Sequence, residues 1–167
     1  ANMRFDDKTF SIYTKGGRSQ GLVVESGRIV FTGLDQYDQF ADIDLKIKGR
    51  LPDQLSYIDH KPFRFTSALN LNLNKAAGNA DTRLKLFFIL ENDLSVDQVK
   101  VWARSTLTDV KLSNIFLGRG IENGLLDVRV DTRGMDVKGD VQIADIPAKL
   151  NWRENFSEKA EFQSRYN

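Results

Sequence analysis

The chain has 167 residues, enough for one domain with a core of its own and too few for two of ordinary size. Lys and Arg number 24 against 23 Asp and Glu, so the formal net charge is +1 and no basic surplus argues for a nucleic-acid partner. There is no cysteine, which excludes disulfides, thiolate catalysis and cysteine-ligated metals.

The first residues, Ala1-Asn2-Met3-Arg4-Phe5-Asp6-Asp7, carry acid and no apolar run, so they do not read as a signal peptide. Phe5 to Thr14 predicts one strand or a short hairpin, followed by a turn at Gly16-Gly17. Gly21 to Glu25 and Arg28 to Thr32 predict a hairpin around Ser26-Gly27. Phe40 to Gly49 is a long alternating strand. Leu51, Leu55 and Ile58 sit at helical spacing and Pro52 suits a first turn. Pro52 to Asp59 therefore predicts a short helix, which Pro62 ends. Arg64 to Asn74 predicts a strand, with a turn at Ala76-Ala77-Gly78-Asn79. Asp81 to Leu90 is the next strand and Glu91-Asn92-Asp93 a loop. Strands are expected around Val99 to Arg104 and at Asp109 to Leu112, before a turn at Leu117-Gly118-Arg119-Gly120. Gly124 to Asp131 and Met135 to Ile143 flank a hairpin turn at Thr132-Arg133-Gly134. Ala148 to Arg153 is a strand, Glu154-Asn155-Phe156 a bend, and Ala160 to Tyr166 a last strand.

The sum is an all-β, mostly antiparallel chain, about ten strands with one short helix. It reads as a long curved or twisted open sheet or groove, a single β-rich segment over residues 1–167. The strand-like ends suggest a piece cut from a longer protein whose targeting element lies elsewhere. The longest apolar runs, such as Leu86-Phe87-Phe88-Ile89-Leu90, fall far short of the roughly 20 residues of a spanning helix.

Alternation dominates the sequence. Asp42-Ile43-Asp44-Leu45-Lys46-Ile47-Lys48 and Leu69-Asn70-Leu71-Asn72-Leu73-Asn74 trade apolar and polar residues one by one. Each such strand has one oily and one wet face. The oily face takes Ile43, Leu45, Ile47, Leu69, Leu71, Leu73, Leu84, Leu86, Val128, Val130, Val137 and Val141. These are the candidate lining residues of a lipid groove; ordinary packing against protein is the alternative, and periodicity alone does not choose between them.

No catalytic, metal or cofactor site is expected. His60, the only histidine, falls at the end of the helix, where it suits the helix dipole, and no Ser or Cys motif completes a triad with it. Asp127 and Asp131 share a polar face with Arg129, and Asp136 and Asp140 with Lys138, which is the pattern of cross-strand charge pairing rather than of a carboxylate pair for hydrolysis. Asp145 joins them without forming the loop of a calcium site. Gly118-Arg119-Gly120 lacks the rest of a phosphate cradle. Trp102 should point away from Val101 and Ala103, and Trp152, two residues after Leu150, should lie on the oily face.

The stretch from Gly134-Met135-Asp136-Val137-Lys138-Gly139 through Ile146-Pro147-Ala148 to Trp152 and Phe156 resembles the AsmA-like family, of the YhdP and TamB type. Ile29-Val30-Phe31-Thr32-Gly33-Leu34, Ile47-Lys48-Gly49-Arg50-Leu51, Leu55 to Pro62 and Leu107-Thr108-Asp109-Val110 are similar to the same family. One departure is visible: the family pattern has a proline after the strand near Phe87, where this chain has Phe88 and Ile89. The resemblance implies a non-catalytic, periplasmic part of an inner-membrane-anchored protein. It implies an apolar β-groove for phospholipid transport toward the outer membrane, with a role in envelope integrity. The implied partners are phospholipid acyl chains, neighbouring β-segments of the same chain, and a membrane reached through parts outside this segment. The alternative is a structural or assembly module of the envelope whose core is filled by side chains.

Overall fold

The computed structural model describes residues 1–19, 21–59, 72–116, 118–156 and 164–166. Among the described residues, ten strands form one open sheet in chain order, each antiparallel to the next. They are β1 (Asn2–Phe5), β2 (Thr9–Ser19), β3 (Leu22–Thr32), β4 (Phe40–Arg50) and β5 (Ala77–Ile89), then β6 (Lys100–Phe116), β7 (Arg119–Asp131), β8 (Gly134–Ile143), β9 (Ile146–Asn155) and β10 (Ser164–Tyr166). Between β4 and β5 lies α1 (Leu51–Ile58), and single 3₁₀ turns occupy Leu73–Lys75 and Val96–Gln98.

The hairpins follow local chemistry. Asp131 pairs with Gly134 across the turn, and its carboxylate accepts from the Arg133 and Gly134 amides at 2.8 and 3.2 Å. Ile143 pairs with Ile146 across Ala144-Asp145, both at positive φ (51° and 63°), the geometry of a type I′ turn. In α1, Pro52 occupies the first turn and Leu51 is buried. Gln54 ties the helix to β5: its amide donates to the Ala80 carbonyl at 2.8 Å and accepts from the Thr82 hydroxyl at 2.7 Å.

Several expected breaks are absent. Ser26-Gly27 is not a turn: β3 runs through it unbroken. Gly27 is there because a Cβ would come within 2.8 Å of Leu45 and 2.9 Å of Thr14, side chains of the flanking strands. Gly16-Gly17 lies inside β2, where Gly16 takes φ +81° opposite an irregularity in β3. Ala77 to Asn79 already belongs to β5, β6 is one strand where two were expected, and β9 continues through Glu154 and Asn155. The strand expected over Arg64 to Asn74 lies largely outside the described residues. Its described end is a 3₁₀ turn, in which the Asn72 side chain accepts from the Asn74 amide. His60 also lies outside the described residues.

Bulges explain why long strands replace short ones. Glu25 is an extra residue of β3 relative to β4. Asp109 and Asn114 of β6 and Asn123 of β7 take φ of 53°, 60° and 49° where the pairing register shifts. These irregularities add one residue each, except that β6 gains two on β7 between Leu112 and Phe116, and they bend the strands. The apolar sequence steps by three at just these points: Val24 to Gly27, Leu107 to Val110, Leu112 to Ile115 and Ile121 to Gly124. The extra residue keeps the apolar side chains on one face.

The core sits over β6 to β9 and α1, in one cluster that includes Leu51, Leu107, Val110, Ile121, Leu126, Val137 and Trp152. Each such burial contributes about 1.5–3 kcal/mol.

Candidate functional site

Because the strands pair in chain order, the oily residues fall into rows across the sheet. One row reads Phe5, Phe10, Phe31, Ala41 and Phe88; the next reads Met3, Ile12, Ile29, Ile43, Leu86 and Val101. A third runs Thr14, Gly27, Leu45, Leu84, Ala103, Val130 and Met135. A fourth runs Val24, Ile47, Thr82, Ser105, Val128, Val137, Trp152 and Tyr166. From β1 to β5 the rows span four strand spacings, about 19 Å. That exceeds half of a roughly 30 Å bilayer hydrocarbon core.

The face is not uniform. Ile12, Ile29, Ile43, Leu45, Ile47, Leu84 and Leu86 are only half-buried. Apart from strand neighbours, the main packing between described elements is α1 on β4 and β5 and the Leu73–Lys75 turn on α1 and β6. At the β1 edge the oily face is open, with Met3 63% and Phe5 74% exposed. Over β6 to β9 the same face is buried, in a cluster joined by Leu51 and Leu55 of α1 and by Ala76.

Of the candidate lining residues, Ile43, Leu45, Ile47, Leu84 and Leu86 line the half-buried part together. Val137 and Val141 are buried core, and Val128 and Val130 pack against it. Leu73 lies in a 3₁₀ turn rather than on a strand, and Leu69 and Leu71 lie outside the described residues.

Polar groups on this face are engaged. The Thr82 and Ser105 hydroxyls are 2.7 Å apart. Glu154, read from sequence as part of a bend, is instead a buried carboxylate on the oily side, 8% exposed. It accepts from Trp152 Nε1 at 3.1 Å and from Ser164 Oγ at 2.5 Å, so it joins β9 to β10. Trp152 stacks on Tyr166 at 5.4 Å between ring centres, sealing the β10 end. Burial, and then the Glu154 charge, push the Tyr166 hydroxyl above its ordinary pKa. The signal for Glu154 was its two-residue spacing from Trp152.

The opposite face is ionic. Glu25 holds Lys46 and Lys48 at 2.7 Å each, and Asp44 holds Arg83 at 3.0 Å and Lys85 at 3.4 Å. Hydrogen bonds from Lys46 and Lys48 hold the Glu25 carboxyl below its usual range. Asp136 is bound by Arg153, Asp127 faces Lys138 and Asp140 faces Lys149. Asp145 serves the β8–β9 turn. Trp102 lies on this outer face, between Lys85 and Arg104 at 5.9 and 5.2 Å from its ring centre. Among the described residues no group of three His, Asp or Glu is placed to hold a metal ion. Comparison with protein-family models, with curated proteins and with solved structures found no match for this chain.

Proposed function

We propose that this chain is a non-catalytic segment of a periplasmic AsmA-like protein, offering an apolar β-groove to phospholipid moving between the inner and outer membranes. The observation that carries the reading is the contrast within one continuous face: packed core over β6 to β9, and over β1 to β5 aliphatic and phenylalanine rows that are half-buried or exposed except at Ala41. Acyl chains laid on those rows would remove apolar surface from water, contributing about 0.8 kcal/mol per buried methylene. Headgroups would stay at the wet ends of the strands. No step of this mechanism breaks a covalent bond, so no catalytic residue is called for.

The closed core over β6 to β9 favours a second reading for that part, a structural or assembly module of the envelope. Two variants separate the readings. Leu45→Asp puts a charge on the half-buried rows, and Val110→Asp puts one where exposure is 0%. The chain is purified without detergent, and bound phospholipid is measured by native mass spectrometry beside the melting temperature. The conduit reading expects co-purified phospholipid in the wild type. It expects Leu45→Asp to keep most of its melting temperature and lose that lipid, and Val110→Asp to fail to fold. A lipid-free wild type, or early melting of Leu45→Asp, assigns the whole face to packing.

A further inference from the structure

The outer face also falls into rows, and one of them is electrostatically lopsided. Lys46, Arg83, Arg104 and Arg129 stand directly opposite one another on β4, β5, β6 and β7, before Asp136 on β8. Directly opposed residues have Cα atoms only about 4.5–5.5 Å apart. Like charges in such pairs destabilise a sheet. The first two cations are compensated: Lys46 by Glu25 at 2.7 Å, and Arg83 by Asp44 through two bonds of 3.0 and 3.2 Å. The next two are not. Arg104 lies over the Trp102 ring and Arg129 makes no ion pair, and neither is within salt-bridge distance of a carboxylate among the described residues. The acids around Arg129 are occupied elsewhere. Asp136 is bound by Arg153, Asp131 by its own hairpin, and Asp127 accepts from the Thr106 hydroxyl at 3.3 Å. Both guanidinium groups belong to exposed residues.

We propose that Arg104 and Arg129 form a binding site for a phosphate group, held between the two guanidinium groups with Trp102 as its wall. A guanidinium offers a planar fork of donors that matches two oxygens of one oxyanion. A dianion between two such forks turns a repulsive pair into two charge-assisted contacts. It therefore binds the folded sheet, where the forks are opposed, better than the unfolded chain. The site is on the side of the sheet away from the apolar rows and does not depend on their occupancy. The phosphate is either free or the headgroup of a lipid in a membrane surface.

The test compares melting temperatures in sodium phosphate and in sodium chloride at matched ionic strength and pH. The wild type is expected to gain about 2–4 °C more from phosphate than from chloride. Arg129→Gln should melt no lower than the wild type in chloride, because the repulsion is gone, and should lose the phosphate-specific gain. Arg104→Gln should lose the gain as well, and Arg4→Gln, at the sheet edge, should keep it. Sedimentation with phosphatidylglycerol or phosphatidylcholine vesicles names the source. Arg129-dependent binding to the former alone identifies a headgroup, and a phosphate response without vesicle binding identifies a free anion. The site is refuted if the wild type gains no more from phosphate than from chloride, or if Arg129→Gln and Arg104→Gln gain as much as the wild type.

Discussion

Gly27 carries more of the design than its size suggests. Leu45 and Thr14 converge on it from the two flanking strands, at 2.8 and 2.9 Å from where a Cβ would stand. Gly27→Val has to push both aside, so it should cost about 1–3 kcal/mol by urea denaturation. The polar face is tuned residue by residue too. The Asp44 carboxyl is held below its ordinary pKa chiefly by the Arg83 hydrogen bond, against the cost of burial, with the charges of Arg83 and Lys85 adding to it. A carboxyl depressed in the folded state stabilises above its unfolded pKa, about 3.9 for Asp. That contribution is lost as pH falls through the still lower folded value. Thermal melts should therefore show wild-type stability falling below about pH 4. Asp44→Asn, with no proton to take up there, should show a shallower fall.

At the scale of the element, the bulges decide which face each side chain serves. Asp109 is read by both neighbours of β6, since the register with β5 and with β7 shifts beside it. Deleting it would leave Leu107, Thr108, Val110, Lys111 and Leu112 in strict alternation, so Val110 and Leu112, both buried, would keep their face and only the bend would be lost. Cooperative unfolding in circular dichroism should therefore survive the deletion. Substitution tests the backbone separately. Asp109 sits at φ 53°, so Asp109→Val should cost about 1–2 kcal/mol, while Asp109→Gly should be tolerated. The helix is bound by a different device, the Gln54 side chain bridging Ala80 and Thr82 on β5.

The whole molecule is asymmetric along its ten-strand order. β10 is closed by the Trp152–Tyr166 stack and the Glu154 network, while β1 leaves Met3 and Phe5 exposed at the other edge. An edge strand offers unpaired backbone groups, and apolar side chains beside it strengthen the template. The isolated chain should associate in a concentration-dependent way through β1, as seen by light scattering after size exclusion. Phe5→Lys, an inward-pointing charge on that edge, should hold it monomeric. A wild type that stays monomeric at high concentration would show the edge to be silent.

The alternation alone determined the fold class, the face of nearly every strand and the place of α1, because a period of two and a period near 3.6 are written in neighbouring residues. It also placed Trp102 outside and Trp152 inside. The hairpin at Thr132-Arg133-Gly134 was legible for the same local reason. Only the tertiary structure decided the rest. Gly27 reads as a turn until Leu45 and Thr14 are brought against it from other strands. The three-residue steps at Leu107 to Val110 and Ile121 to Gly124 read as strand ends until pairing shows the extra residue absorbed within continuous strands. Val137 and Ile43 have the same local pattern, yet one is core and the other half-open. Burial depends on how the bulged strands bend and on what lies opposite, which are non-local facts. The opposed arginines are non-local as well: 83, 104 and 129 are far apart in the chain and meet only because the register of β5, β6 and β7 sets them side by side.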